Sequence, residues 1–243
     1  TDFAILVDKA TPSEALSIIT RWKRNNNYYP SQQTKALSGI SEPPNFANIC
    51  YQLHTQDKKL AKIIDSVGPC ALARQHAGFD FLVDAIIGQQ LSKNAADTII
   101  LRFRKLFPSG RAMPRKFLSL SREEVLSTGI SKRKCDYIRD LAQKVDSKQL
   151  NLSQLQEEND AAVRRTLKNV KGIGNWTVDM YLLFGLARLD VFPAHDLALR
   201  KVMSTVYGLD VNDIEAAKKI SEKWKPYRSV GSWYLYKFGN MRA

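Results

Sequence analysis

The sequence predicts an all-α protein of about ten helices, and three features carry that expectation. From Phe46 onward, apolar residues recur at helical spacing, most plainly Phe79, Leu82, Val83, Ile86 and Ile87 at i, i+3, i+4, i+7 and i+8. Side chains suited to cap a first helical turn (Ser121, Ser131, Asp196) stand just ahead of several of these stretches. Nothing demands a sheet, except that Phe3-Ala4-Ile5-Leu6-Val7 reads equally as a strand or a helical turn.

Taken in order, Thr11 and Glu14 have the spacing of a capping box around Pro12-Ser13, opening a helix to about Arg24. Asn25-Asn26-Asn27 and Pro43-Pro44 break that segment, so residues 1–45 read as an extension. Ile49, Leu53, Leu60, Ile63 and Ile64 begin the helical part. After the stripe at 79–87, Ser92 leads into a helix through Leu101. Pro108, Gly110 and Pro114 mark a loop. Ser121-Arg122-Glu123-Glu124 starts a capped helix, ended by Gly129. Ser131 caps the next, running to about Val145. Helices follow at 161–168, 175–187 and 197–207, then one from Asn212 to near Trp224. Pro226 suits the first turn of a last helix through Phe238.

Composition narrows the function. The chain has 243 residues, 44% hydrophobic and 25% charged, a globular composition. Its formal net charge is +13, and from Leu91 to Val145 thirteen Lys/Arg face five Asp/Glu. A basic surface favours polyanions, nucleic acid foremost, although a merely solubilising surface has the same charge. Cys50, Cys70 and Cys135 are widely spaced, with no C-x-x-C and none in the last hundred residues. That pattern argues against a zinc site and an iron–sulfur cluster, and for a reducing compartment. No apolar run approaches membrane-spanning length, so no membrane partner is expected.

Two segments carry the chemistry. Asn169-Val170-Lys171-Gly172-Ile173-Gly174-Asn175-Trp176 reads as a tight hairpin between two helices. Glycine permits a positive-φ turn and leaves backbone N–H groups open to a phosphate, with the following helix dipole adding attraction. An ordinary helix–helix connection is the plainer reading. Twenty residues after Trp176, Asp196 opens the helix Leu197-Ala198-Leu199-Arg200-Lys201. N-capping is its plainer role, and the two roles are compatible, because that position favours the carboxylate over the acid. A fixed anion suits a reaction that develops positive charge on a sugar. Asp190 is the rival carboxylate, and His195 is either a proton carrier or a surface residue.

Together these residues resemble the helix-hairpin-helix superfamily of base-excision DNA glycosylases, in particular the AlkA-like 3-methyladenine DNA glycosylases. The resemblance spans about residues 46–243. It rests on Gly88-Gln89-Gln90-Leu91-Ser92, Gly129-Ile130-Ser131-Lys132-Arg133-Lys134 before Tyr137, and Val170 to Thr177. Asp190 to Leu197 and Trp224-Lys225-Pro226-Tyr227-Arg228-Ser229 complete it.

The resemblance implies two helical lobes with a helix-hairpin-helix motif and an active-site cleft between them. Residues 46–78 plus 189–243 would form one lobe and 79–188 the other. Asp196 matches the catalytic aspartate, and Trp176 and Met180 fall in the base pocket. Gln90 or Leu91 would fill the gap left by a flipped nucleotide. Gln89, Ser92, Lys132, Lys134, Lys171, Gly172, Gly174 and Thr177 fall at DNA-contacting positions. The carbonyls of Lys168, Val170 and Ile173 match those binding a structural monovalent cation, and no cofactor is implied for catalysis. Bifunctional relatives carry, where Trp176 stands, a lysine that forms a Schiff base. Tryptophan has no such amine, so a monofunctional enzyme is expected. The expected activity is hydrolytic excision of alkylated purines (3-methyladenine, 7-methylguanine type) from double-stranded DNA, by a monomer inside the cell. The compartment would be the nucleus of a eukaryote or the cytoplasm of a prokaryote. A glycosylase for another lesion, or a non-catalytic damage-sensing protein of the same fold, is the alternative. Asn175 and Met180 depart from residues common in relatives.

Overall fold

The structure is a computed structural model that describes residues 44–242; the expected extension, with its capping box and the run Phe3–Val7, lies outside the described residues. Among the described residues the fold is all-α, as the periodicity requires. The first pair of helices, α1 (Phe46–Gln56) and α2 (Lys58–Val67), is divided by one buried carboxylate. The Asp57 N–H closes α1 on Leu53 O, and its Oδ1 accepts from Lys59 N (3.0 Å) and Leu60 N (3.1 Å) to open α2. Its Oδ2 accepts from the Tyr207 hydroxyl and from Trp224 Nε1, both at 3.0 Å. Four donors offset the burial of this charge, and they fasten the start of the described chain to its end.

The stripe at 79–87 forms α3 (Phe79–Gly88), buried at Phe79, Leu82, Val83, Ile86 and Ile87. After a four-residue turn, Ser92 caps α4 (Lys93–Arg104). The expected loop at 108–114 holds, but Pro114 itself opens a short helix, α5 (Pro114–Leu118), at the position where its missing N–H is harmless. Ser121 and Glu124 form the capping box of α6 (Arg122–Ser127), and Ser131 caps α7 (Lys132–Asp146). Short α8 (Leu152–Leu155) precedes α9 (Asp160–Lys168), the hairpin, and α10 (Asn175–Met180).

The helix expected over 175–187 widens after Met180 into a π-turn, Tyr181–Gly185. There Leu186 N bonds to Tyr181 O across five residues, while the buried Tyr181 hydroxyl donates to Ala77 O. Then come α11 (Leu197–Tyr207), α12 (Ile214–Ser221), a 3₁₀ turn at Glu222–Trp224, and α13 (Arg228–Met241). Pro226, expected in the first turn of that last helix, instead follows a cis peptide bond two residues before it. Asp190 marks the helix start, accepting from the Arg228 N–H (3.3 Å) and its guanidinium (2.7 and 2.9 Å).

The helices pack in two groups. One sets α13 against α2 and α11, with α1 on α2; the other sets α7 against α3 and α5, with α4 on α3. The second group reaches the hairpin because α10 and the π-turn lie against α3. The core is continuous across both, with Trp224, Tyr181, Tyr234, Phe103 and Phe117 fully buried. Trp224 and Trp233 are thus core tryptophans.

Candidate active site

The hairpin is built by steric necessity. Val170 and Ile173 are buried and anchor it, and the Ile173 N–H closes it on Val170 O at 3.1 Å. Between them Gly172 takes φ +77°, and its Cα lies flat against the Tyr137 ring of α7. A Cβ there would stand 2.0 Å from Tyr137 Cδ2. From the same helix Asp140 accepts the Lys171 N–H at 2.9 Å. Burial opposes ionisation of Asp140, but its bonds to Lys144 and to that N–H outweigh it and hold its carboxyl below the ordinary value. Gly174, the N-cap of α10, offers no side-chain acceptor to the first-turn N–H groups, and nothing lies within 4 Å of where its Cβ would be. The hairpin therefore shows a bare backbone face and a helix N-terminus to solvent.

Asp196 stands opposite. It is the N-cap of α11 and is buried at 6% exposure, with Oδ1 accepting Leu199 N at 2.8 Å. Its other oxygen, Oδ2, accepts the indole N–H of half-buried Trp176 at 2.6 Å. Both carboxylate oxygens are thus fixed by donors, one from each packing group. The rival, Asp190, is consumed by its bidentate pair with Arg228. His195 is exposed, with Nε2 3.5 Å from the Asn175 amide nitrogen.

Sequence reasoning misses two buried titratable groups here, one on the Trp176 helix and one against this carboxylate. Asp179, one turn after Trp176, is buried and paired with Arg164 of α9 (2.6 Å). Burial raises its pKa, with Arg164 pulling the other way. Tyr236 of α13 has its phenol pushed well above the ordinary value, first by burial and then by Asp196, so it stays neutral. The i+3 spacing from Trp176 was the only signal for Asp179, and Tyr236 had none beyond lying in the last helix.

The remaining expected residues divide. Gln90, Leu91, Ser92, Lys132 and Lys171 are exposed, and Lys168, an expected cation ligand through its carbonyl, is exposed as well. Met180 is buried against the core. Three expected DNA contacts spend their side chains internally. Thr177 is 1% exposed and accepts from Gln89, whose Nε2 donates to Thr177 Oγ1 and Gly172 O, both at 2.9 Å. Lys134 Nζ donates to Ile87 O (2.8 Å) and Gln89 O (2.7 Å) at the end of α3, and burial lowers its pKa. Those carbonyls have no intrahelical partner, so a cation there is worth more to the helix end than to solvent.

A glycine turn that bares backbone donors, a helix N-terminus behind it, and a fixed carboxylate across from it define the class: helical proteins that hold a nucleic-acid backbone beside an acid group. Residues 83–226 match the HhH-GPD superfamily of base excision DNA repair proteins, and the chain belongs to that family. The alkylbase DNA glycosidase-like protein mag2 of Schizosaccharomyces pombe is 30% identical over 194 residues, covering 76% of this chain and 89% of the relative. The DNA-3-methyladenine glycosylase 1 of the same organism is 31% identical over 184 residues, covering 74% and 80%. In structure, the Schizosaccharomyces pombe 3-methyladenine DNA glycosylase Mag1 in complex with abasic DNA is similar, with a TM-score of 0.75 and 27% identity, covering 79% of this chain and 97% of that one. A DNA-3-methyladenine glycosidase from Bacillus halodurans gives a TM-score of 0.67 at 30% identity, covering 84% and 93%.

Proposed function

We propose that this chain is a monofunctional DNA glycosylase that flips alkylated purines out of duplex DNA and releases them by hydrolysis of the N-glycosidic bond. The observation that carries the proposal is the 2.6 Å bond from the Trp176 indole to Asp196 Oδ2, which holds an aromatic ring edge-on to a fixed carboxylate. The names of the relatives, which are glycosylases or glycosidases for 3-methyladenine or alkylbases, support the substrate class.

The chemistry follows from these positions. A purine alkylated at N3 or N7 is cationic, so its bond to the sugar is already weakened. Extruding its nucleotide costs a few kcal/mol. Backbone donors of the hairpin, aided by Lys171 and Lys132, would hold the strand, while Gln90 or Leu91 fills the vacated stack. The Trp176 ring would stack on the electron-poor base, a cation–π contact of about 0.5–2 kcal/mol. Asp196 then stabilises the sugar cation with a charge that needs no reorganisation, because both of its oxygens are already oriented. Met180 and the neutral Tyr236 would close the apolar side of the pocket. With no amine at position 176, no Schiff base forms and the abasic strand stays intact.

The carbonyls of Lys168, Val170 and Ile173 would hold a monovalent cation. They are neutral oxygen donors, and Val170 O keeps a lone pair beyond the one given to Ile173 N. Such an ion, when bound, supplies positive charge near the phosphate. Among the described residues no group of three His, Cys, Asp or Glu gathers as a metal site, and no helix is long and apolar enough to cross a membrane. The protein would act as a monomer where genomic DNA is found: in the nucleus of a eukaryote or the cytoplasm of a prokaryote.

The test is base release from duplexes carrying 3-methyladenine, 7-methylguanine, hypoxanthine, ethenoadenine, uracil or 8-oxoguanine, with borohydride added in parallel. Release of the alkylpurines, without strand cutting or a trapped adduct, is expected. A covalent adduct would refute the monofunctional mechanism. Release of only deaminated or oxidised bases would refute the substrate class, and no release at all would leave a damage-sensing binder.

A further inference from the structure

The turn between α3 and α4 carries the residues expected to enter the DNA stack, and it is fastened in an uncommon way. Gln90 sits at φ +58°, a left-handed conformation that side-chain-bearing residues seldom adopt, and Leu91 beside it is 39% exposed. The turn's own bonds are few: Gln89 N to Ile86 O at 3.3 Å and Leu91 N to Gly88 O at 3.2 Å. What holds it comes from elsewhere. The Gln89 amide uses both its N–H donors outside the turn, at Gly172 O of the hairpin and Thr177 Oγ1 of α10 behind it, and Lys134 grips the Gln89 carbonyl from α7. Tyr137, one turn on from Lys134, backs Gly172 from behind.

We propose that Gln89 is a positioning residue that couples the hairpin's hold on the DNA backbone to the depth at which Gln90-Leu91 enters the stack. This rests on the base-flipping function proposed above. Gly172 is the pivot: its N–H side belongs to the turn that meets phosphate, and its carbonyl is tied to the plug. A shift of the hairpin on docking therefore moves the plug with it, because the Gln89 amide links the two directly. The strained backbone at Gln90 follows directly on this anchor: the Gln89 and Lys134 bonds fix the chain on its N-terminal side, and the Ser92 cap of α4 fixes it on the other. Gln89 touches neither the sugar nor the base in this scheme. A primary amide of this length meets both acceptors; asparagine is one methylene short, and methionine has the length but no donor.

The experiment uses the full chain with Gln89→Met and Gln89→Asn, each checked for an unchanged melting transition. Single-turnover release of 7-methylguanine is measured from a duplex, where a gap must be filled, and from a single strand, where none exists. Each variant is expected to lower the duplex rate by about tenfold, the change that corresponds to ~1.4 kcal/mol, with a drop at least several times larger on the duplex than on the single strand. The loss should vanish in a Gln90→Ala/Leu91→Ala background, from which the plug has been removed. A wild-type duplex rate, an equal drop on both substrates, or a full effect without the plug would overturn the coupling. A second readout needs no chemistry: 2-aminopurine placed beside a tetrahydrofuran abasic analogue brightens when the plug unstacks it. Both variants should show less than half the wild-type rise at saturation. If the wild-type chain releases no base at all, the glycosylase function fails, and this fluorescence still decides the role of Gln89.

Discussion

Replacing Gly172 by alanine tests the hairpin, because the structure assigns the penalty to two separable causes. At φ +77° an L-residue lies in the left-handed region, which costs about 1–2 kcal/mol. The added Cβ would also fall 2.0 Å from Cδ2 and 2.3 Å from Cγ of Tyr137, against the ~3.5–4.0 Å at which carbon atoms rest. Relieving such overpacking typically costs about 1–3 kcal/mol. The sum, roughly 2–5 kcal/mol, is a large share of a domain's total stability. Urea denaturation of four proteins (wild type, Gly172→Ala, Tyr137→Ala and the double variant) resolves the two terms. In the Tyr137→Ala background the steric part is gone, so Gly172→Ala should cost only about 1–2 kcal/mol there. A Gly172→Ala protein within about 0.5 kcal/mol of wild type, or an equal cost in both backgrounds, would refute the account of the turn.

Gly174→Ala should behave oppositely: with φ −102° and open space at its Cβ, stability should stay within about 0.5 kcal/mol, while affinity for an abasic duplex falls. Unchanged affinity, by fluorescence anisotropy, would remove the strand from that face. Trp176→Phe keeps an aromatic plane and loses the bond to Asp196, a charge-assisted bond worth ~1.5–3 kcal/mol, so single-turnover base release should slow by about tenfold or more; a wild-type rate would show that the bond does not orient the carboxylate. Asp179 gives a pH signature. Burial raises its folded-state pKa, so the folded protein keeps a proton that the unfolded chain has already lost. Its contribution to stability is therefore full at low pH and declines as pH rises from the ordinary carboxylate range through the raised value. Wild type should accordingly gain on Asp179→Asn as pH is lowered, measured by denaturant melts across pH, and a constant difference would contradict that burial dominates.

Much of this was legible in the sequence because it is local. Caps at Ser121, Ser131 and Asp196 read correctly, since a side-chain acceptor and the turn it serves lie within four residues. What failed to read was long-range. Asp57 divides α1 from α2 using donors from Tyr207 and Trp224, far along the chain. Gln89 and Lys134 lie in segments that resemble DNA-contacting motifs, yet the nearest unmet acceptors are carbonyls of the protein itself. Pro226 follows the rule for a first turn, but the start of α13 is set by the pair Asp190–Arg228. The carboxylate at 196 could be read as a cap from its neighbours alone; its bond to Trp176 needed the fold.

The central claim, that Asp196 drives departure of the base, is most directly tested by Asp196→Asn. Asparagine keeps an oxygen for the Leu199 N–H, so the cap and the fold should survive. Single-turnover release of 7-methylguanine should fall by about 10²–10³ or more, the scale for loss of a preorganised electrostatic group, while the variant still binds an abasic duplex. Release at the wild-type rate would contradict the account.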